Sequence, residues 1–145
     1  MPKCDEHKVI GTAMGAITAV GYGYYVEQDF AKSWQYALGG VLGGYMTARL
    51  ADILEPSKIL GPNHRGIFHG IALNGGLAAL LYRKNNEWLQ TLVDKANEYD
   101  SRQEHLKAFI LRVSVGLIIG GIGGHASHLL ADLTTSKGLP LMGRL

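Results

Sequence analysis

The segment GGHASHLLAD sets His128 and Asp132 four residues apart, with His125 one turn earlier. On an α-helix, at about 100° per residue, all three fall within roughly 60° of arc. Neutral imidazole and ionised carboxylate are ligand types that hold zinc and similar divalent ions. A charge at the end of an apolar helix persists only when it is paired, hydrated or metal-bound. The group therefore reads either as a metal-ligating face or as a polar pair bonded internally where a helix leaves a membrane.

Two further groups carry the same chemistry. In GPNHRGIFHG, Pro62 and Asn63 suit a helix start, and His64 and His69 lie five residues apart. That spacing is about 140° around a helix, so both reach one ion only if His64 belongs to the preceding loop or cap. Arg65 cannot ligate a metal, but its planar, permanently charged guanidinium suits a phosphate or a carboxylate. It also suits an interface anchor or a partner for Asp52 or Glu55. In RLADILEPSKILG, Asp52 and Glu55 share a helix face ahead of Pro56. Either can bridge metals, act as a general base toward a metal-activated water, or close a helix-end salt bridge with Arg49 or Lys58. His7 opens the first apolar stretch as a solvated side chain or a ligand. His105 reads as a surface residue, and nothing marks Cys4 as a nucleophile.

The elements that must position these residues are apolar and glycine-rich. Four stretches stand out, Val9–Val26, Tyr36–Leu50, Ile67–Tyr82 and Ala108–Ala131. Each is marginal as a membrane span on its own. Their glycines repeat at i,i+4 (Gly11/Gly15, Gly39/Gly43, Gly40/Gly44, Gly116/Gly120/Gly124), the spacing that lets helix backbones approach closely in lipid. In water each interior glycine weakens a helix by up to about 1 kcal/mol relative to alanine, so membrane helices explain the pattern better than a soluble bundle does. Between the third and fourth stretches, Trp88, Leu89, Leu92, Val93, Ala96 and Tyr99 follow the helical period opposite a charged face. This predicts an amphipathic helix lying on a membrane or partner surface. Ser101 and Glu104 form a capping-box pattern that predicts the start of the last helix. The expected fold is an all-α up-down bundle of four transmembrane helices and one amphipathic helix, as a single domain over residues 1–145.

In that topology His7, Asp52, Glu55, His64, His69, His125, His128 and Asp132 all gather at one end. The same side carries seven Lys and Arg against five acids, an excess that places it in the cytoplasm. Composition narrows the class further. Apolar residues make up 47% of the chain and charged residues 18%, below the roughly 25% of soluble domains. A net charge of +2 gives no footprint for nucleic acid. The single cysteine excludes a disulfide framework and a cysteine-based zinc finger. MPKCDEHK, with acids ahead of the apolar run, does not read as a cleaved signal peptide.

With these residues in place, the chain resembles the YdjM-like, LexA-binding family of inner-membrane-associated, metal-dependent hydrolases. The resemblance rests on His7-x-x-x-Gly11, on Asp52-Ile-Leu-Glu55-Pro56, on Asn63-His64-Arg65-Gly66-Ile67-Phe68-His69, and on Gly124-His125-Ala126-Ser127-His128-Leu129-Leu130-Ala131-Asp132 with Thr135 and Gly138 after it. The family's second motif is commonly Asp-x-Asp-His-Pro; Leu54 and Glu55 depart from it, which moves one carboxylate and removes one histidine. Gly70 stands where a serine usually follows. His125 stands at an often aromatic position, which makes it a support for the ligands and not one of them.

The resemblance implies an all-α fold related to zinc-dependent phospholipase C and P1-type nucleases. It implies a divalent metal, zinc or manganese, held by His7, Asp52, His64, His69, His128 and Asp132. It further implies hydrolysis of phosphoesters, with phospholipid among the candidate substrates, through metal-activated water. Asp52 and Glu55 would then serve as catalytic carboxylates and Arg65 as phosphate holder, in a multi-pass protein of the cytoplasmic membrane. Two other readings stay open. One is a non-catalytic membrane module whose amphipathic helix binds a partner or drives homo-oligomerisation. The other is a glycine-zipper pore whose glycines face a symmetry mate.

Overall fold

The computed structural model describes residues 4–48, 50, 53 and 87–133, with side chains described at 8–48, 50, 53 and 87–131. These residues form four helices: α1 (Cys4–Glu27), α2 (Phe30–Thr47), α3 (87–101) and α4 (His105–Leu133). No strand occurs among the described residues. The stretch Ile67–Tyr82 lies outside them.

Short polar turns join the helices in pairs. α1 ends where Gln28 takes a left-handed φ of 52°, with its amide bonded to the Tyr24 carbonyl. Asp29 then caps α2, its carboxylate accepting from the Ala31 amide at 2.8 Å. This cap starts α2 at Phe30, ahead of the expected apolar stretch from Tyr36. α3 ends in a Schellman turn: Gln103 has φ 62°, its amide bonds to the Asp100 carbonyl, and the Glu104 amide bonds to the Tyr99 carbonyl. The expected capping box is therefore not formed. Ser101 belongs to the last turn of α3, where its hydroxyl donates to the Glu98 carbonyl, and α4 begins beyond it at His105.

Glycine determines how the helices pack. Gly15, Gly40 and Gly120, one each from α1, α2 and α4, meet at a common point. A Cβ built on Gly40 would lie 2.5 Å from the Gly15 carbonyl oxygen and from the Ala19 Cβ; one on Gly120 would strike the Gly40 backbone. Gly11 faces Ala48 and Gly44, while Gly44 in turn faces Gly124, so α1 runs antiparallel to α2 and α4 runs parallel to α2. The glycine seams thus face one another within a single chain, which removes the arrangement in which they face a symmetry mate.

Among the described residues the buried apolar cluster comprises Ala19, Tyr36, Leu89, Val93 and Val115. Two of these five come from α3. Part of its apolar face is covered by the chain's own helices, with Leu89, Val93 and Ala96 all buried, while Trp88 stays half-exposed. α3 thus docks on its own bundle through part of the face expected to lie on a membrane or partner surface. Two described helices, α1 over Lys8–Glu27 and α4 over His105–Ala131, are long and apolar enough to cross a membrane, where four spans were expected.

The glycine seam makes a paired prediction. Gly40→Ala should destabilise the bundle by about 1–3 kcal/mol, because the new methyl meets backbone that cannot yield. Gly21→Ala, which meets nothing within 4 Å, should stabilise it by up to about 1 kcal/mol through helix propensity. Denaturant unfolding followed by circular dichroism in detergent measures both.

Candidate functional site

The histidine end of the bundle is built by helix continuity. Because Gly11 packs on Ala48 and Gly124 packs on Gly44, the start of α1, the end of α2 and the last turns of α4 lie together. His7 is one turn before Gly11, and Asp132 is two turns beyond Gly124, so both belong to that end along the backbone. His128 continues the inward stripe of Gly116, Gly120 and Gly124 at i,i+4, and its side chain is 2% exposed. Ser127 beside it is buried too, its hydroxyl donating to the Gly124 carbonyl at 2.7 Å. His125 is half-buried.

The side chains of His7 and Asp132, and all of Asp52, Glu55, His64, Arg65 and His69, lie outside the described residues. Among the described residues no group of three or more His, Cys, Asp or Glu could hold a metal ion. What is on view is the convergence of three helix ends with a buried imidazole among them.

At the other end of the bundle stands a polar cluster that the sequence reading missed. Arg112, in the middle of an apolar run, is 1% exposed. Its Nε donates to Glu27 Oε1 at 2.8 Å, its Nη1 meets Asp100 Oδ2 at 2.7 Å, and its Nη2 donates to Asn97 Oδ1 at 2.8 Å. Gln35 Oε1 accepts a longer bond from Nη1 at 3.4 Å. Glu27, equally buried, also accepts from the Tyr36 hydroxyl at 2.8 Å and faces Lys32 at 3.6 Å. Lys32 in turn donates to Asn97 at 3.0 Å. The cluster draws on all four helices and balances two cations against two carboxylates.

Every donor of the Arg112 fork that this geometry uses meets an acceptor, which is what allows a guanidinium to stay charged so deep. Nothing in the cluster is poised as a nucleophile; its chemistry is that of a clasp. The exposed His105 sets its Nδ1 3.1 Å from Asp100 Oδ1 at the rim. It is the surface residue expected, with a partner that was not. Burial pushes the Asp100 carboxyl up, but hydrogen bonds from His105 and Arg112, with the Arg112 charge, outweigh this and hold it below its ordinary 3.8.

Compared with known proteins, the chain matches no protein family, no curated protein and no solved structure.

Two outcomes follow from the clasp. Arg112→Met strands Glu27 without its main partner and should cost about 3–5 kcal/mol, while Arg112→Met with Glu27→Leu should recover most of that loss. Equilibrium unfolding of the two variants beside wild type measures the difference. Because the folded pKa of Asp100 lies below its unfolded value, its contribution is fully present above the unfolded value. It is lost as pH falls through the folded one. Stability should therefore drop on acidification below about pH 4, and Asp100→Asn should flatten that part of the pH profile.

Proposed function

We propose that the chain is a membrane-bound, metal-dependent hydrolase of phosphoester substrates, a multi-pass protein of the cytoplasmic membrane allied to the YdjM-like proteins it resembles. The observation that carries this reading is the gathering of three helix ends around the buried imidazole of His128. Imidazole and carboxylate are the donors a zinc or manganese ion takes, and the sequence carries them at His7, His125, His128 and Asp132 on the helices that end there. His7, His64, His69, His128, Asp132 and Asp52 are the residues that would hold the ion. Arg65 would hold the phosphate, its fork matching two phosphate oxygens. Asp52 or Glu55 would take the proton from the attacking water. When bound, such an ion supplies Lewis acidity strong enough to bring the pKa of water toward about 7.

Support for the membrane half of the proposal comes from burial. Only 22% of the α1 stretch and 33% of the α4 stretch is covered by the rest of the chain, whereas the core helix of a soluble protein is mostly covered. α2 is bound to both through the glycine seams, so it travels with them into lipid. The competing reading, a non-catalytic module that recruits partners through its amphipathic helix, has less of that face to offer, since Leu89, Val93 and Ala96 are buried in the chain's own core.

The test is elemental analysis and activity on detergent-purified protein. Wild type should carry zinc or manganese in stoichiometric amount and hydrolyse a phosphoester from a broad panel. His128→Gln and Asp132→Asn should lose both metal and turnover while keeping helix content. Undiminished turnover in metal-free variants would refute the assignment.

A further inference from the structure

The outer surfaces of the four helices are not alike. Along α2, Phe30, Trp34, Leu38, Leu42 and Tyr45 recur every three to four residues and all are exposed. The stripe covers about 22 Å of helix. Its aromatics sit toward the two ends and its aliphatic residues between them, the order in which side chains distribute themselves across a bilayer. Ile17 and Tyr24 on α1 and Ile110 and Leu117 on α4 are exposed as well, and the Trp34 ring meets Phe109 of α4 at 6.2 Å.

α3 breaks the pattern. Its inward residues fill the groove between α1 and α4, and its outward residues Glu87, Gln90, Asp94, Lys95 and Glu98 are all exposed. Gln90 and Asp94 bond to each other along the surface at 3.0 Å, and Glu98 pairs outward with Arg102. α3 runs beside the very part of α4 that is apolar enough to enter a membrane. Trp88 is also half-exposed at the start of this helix, but five exposed polar side chains along its length cannot be held in hydrocarbon, where each charge is strongly disfavoured. Lipid and water must therefore meet this bundle on different sides.

We propose that acyl chains contact the bundle through the α2 stripe and the adjoining faces of α1 and α4, and that the outer face of α3 is kept in water. The proposal rests on the membrane reading given above and assigns its lipid-facing surface. A bundle inserted this way is wetted along one flank, and its aromatic residues mark the edges of the hydrocarbon on the other flanks.

Cysteine accessibility in phosphatidylcholine nanodiscs, which leave both aqueous sides open, tests this. Cys4 is the only native cysteine, so Cys4→Ser supplies the background for Leu38→Cys and Asp94→Cys. A charged maleimide should label both sites readily in detergent. In nanodiscs Asp94→Cys should keep its rate, while Leu38→Cys slows by an order of magnitude or more. In a Trp88→Phe variant, where Trp34 is the remaining tryptophan, brominated lipid should quench the fluorescence. Protection of position 94, or free labelling at 38 in protein that co-elutes with nanodiscs, overturns the lipid-facing assignment alone. Protein that does not enter nanodiscs overturns the membrane reading and this assignment with it.

Discussion

Three helix backbones approach so closely at Gly15, Gly40 and Gly120 that a side chain as small as a methyl has no place between them. Most of the remaining architecture follows from this contact. Where glycine fills the centre, the large apolar residues that make up so much of the chain have to point outward. The exposed set runs from Val9 and Ile17 on α1 through Phe30, Trp34 and Leu38 on α2 to Ile110 and Leu117 on α4. In water that would be an expensive surface, and few monomers carry so much of it. In lipid the accounting reverses: apolar side chains gain nothing by turning inward, and association comes from close packing of small residues and from interhelical hydrogen bonds. The bond from Thr47 Oγ1 to the Gly121 carbonyl, at 2.6 Å across the α2–α4 seam, is of that second kind.

Glycine seams bring helices together but say little about which helices or in what register, since one Gly-xxx-Gly run fits another. The Arg112 clasp supplies the missing specificity. Its partners come from each of the other helices or their ends, so a slip that parts Arg112 from Glu27 or Asp100 leaves a buried charge without its mate. Such a loss is far more costly than a slip within the seam, because breaking one side of a buried pair leaves the desolvation unrepaid. The division of labour is spatial as well: the clasp locks the end where α1 turns into α2 and α3 into α4. The histidine end is left free of it.

How much of this could be read in advance depends on the range over which each signal acts. The helices of the described residues and the i,i+4 glycines were legible, because both are local patterns with a single period. The clasp was not. Arg112 stands 85 residues from Glu27 and 15 from Asn97, and in a linear reading a lone arginine in an apolar run is only a blemish. The one available signal was that blemish itself, since a charge so placed demands partners. α3 was recognised as amphipathic, yet its sequence could not say whether the apolar face would meet lipid, a partner or its own bundle; Val115 and Ala19 decided that. Ser101 and Glu104 matched a capping box, but the left-handed turn at Gln103 ended one helix before the next could use the serine. Of the residues proposed to hold a metal, the helix that carries His128 and Asp132 was legible from its apolar run. The burial of His128 was not.

The relation between the glycine seam and His128 also bears on what the histidine end is for. On α4 the residues Gly116, Gly120, Gly124 and His128 form one stripe, each a turn beyond the last. At Gly124 a Cβ would come within 2.6 Å of the Gly44 backbone, so the helices there touch with no room for a side chain. One turn later the same stripe buries an entire imidazole, 2% exposed. Rigid elements that hold a ligating side chain in one orientation are what a metal centre requires of its scaffold. The same glycines that force the apolar bulk of the molecule outward thus give the histidine end its fixed base.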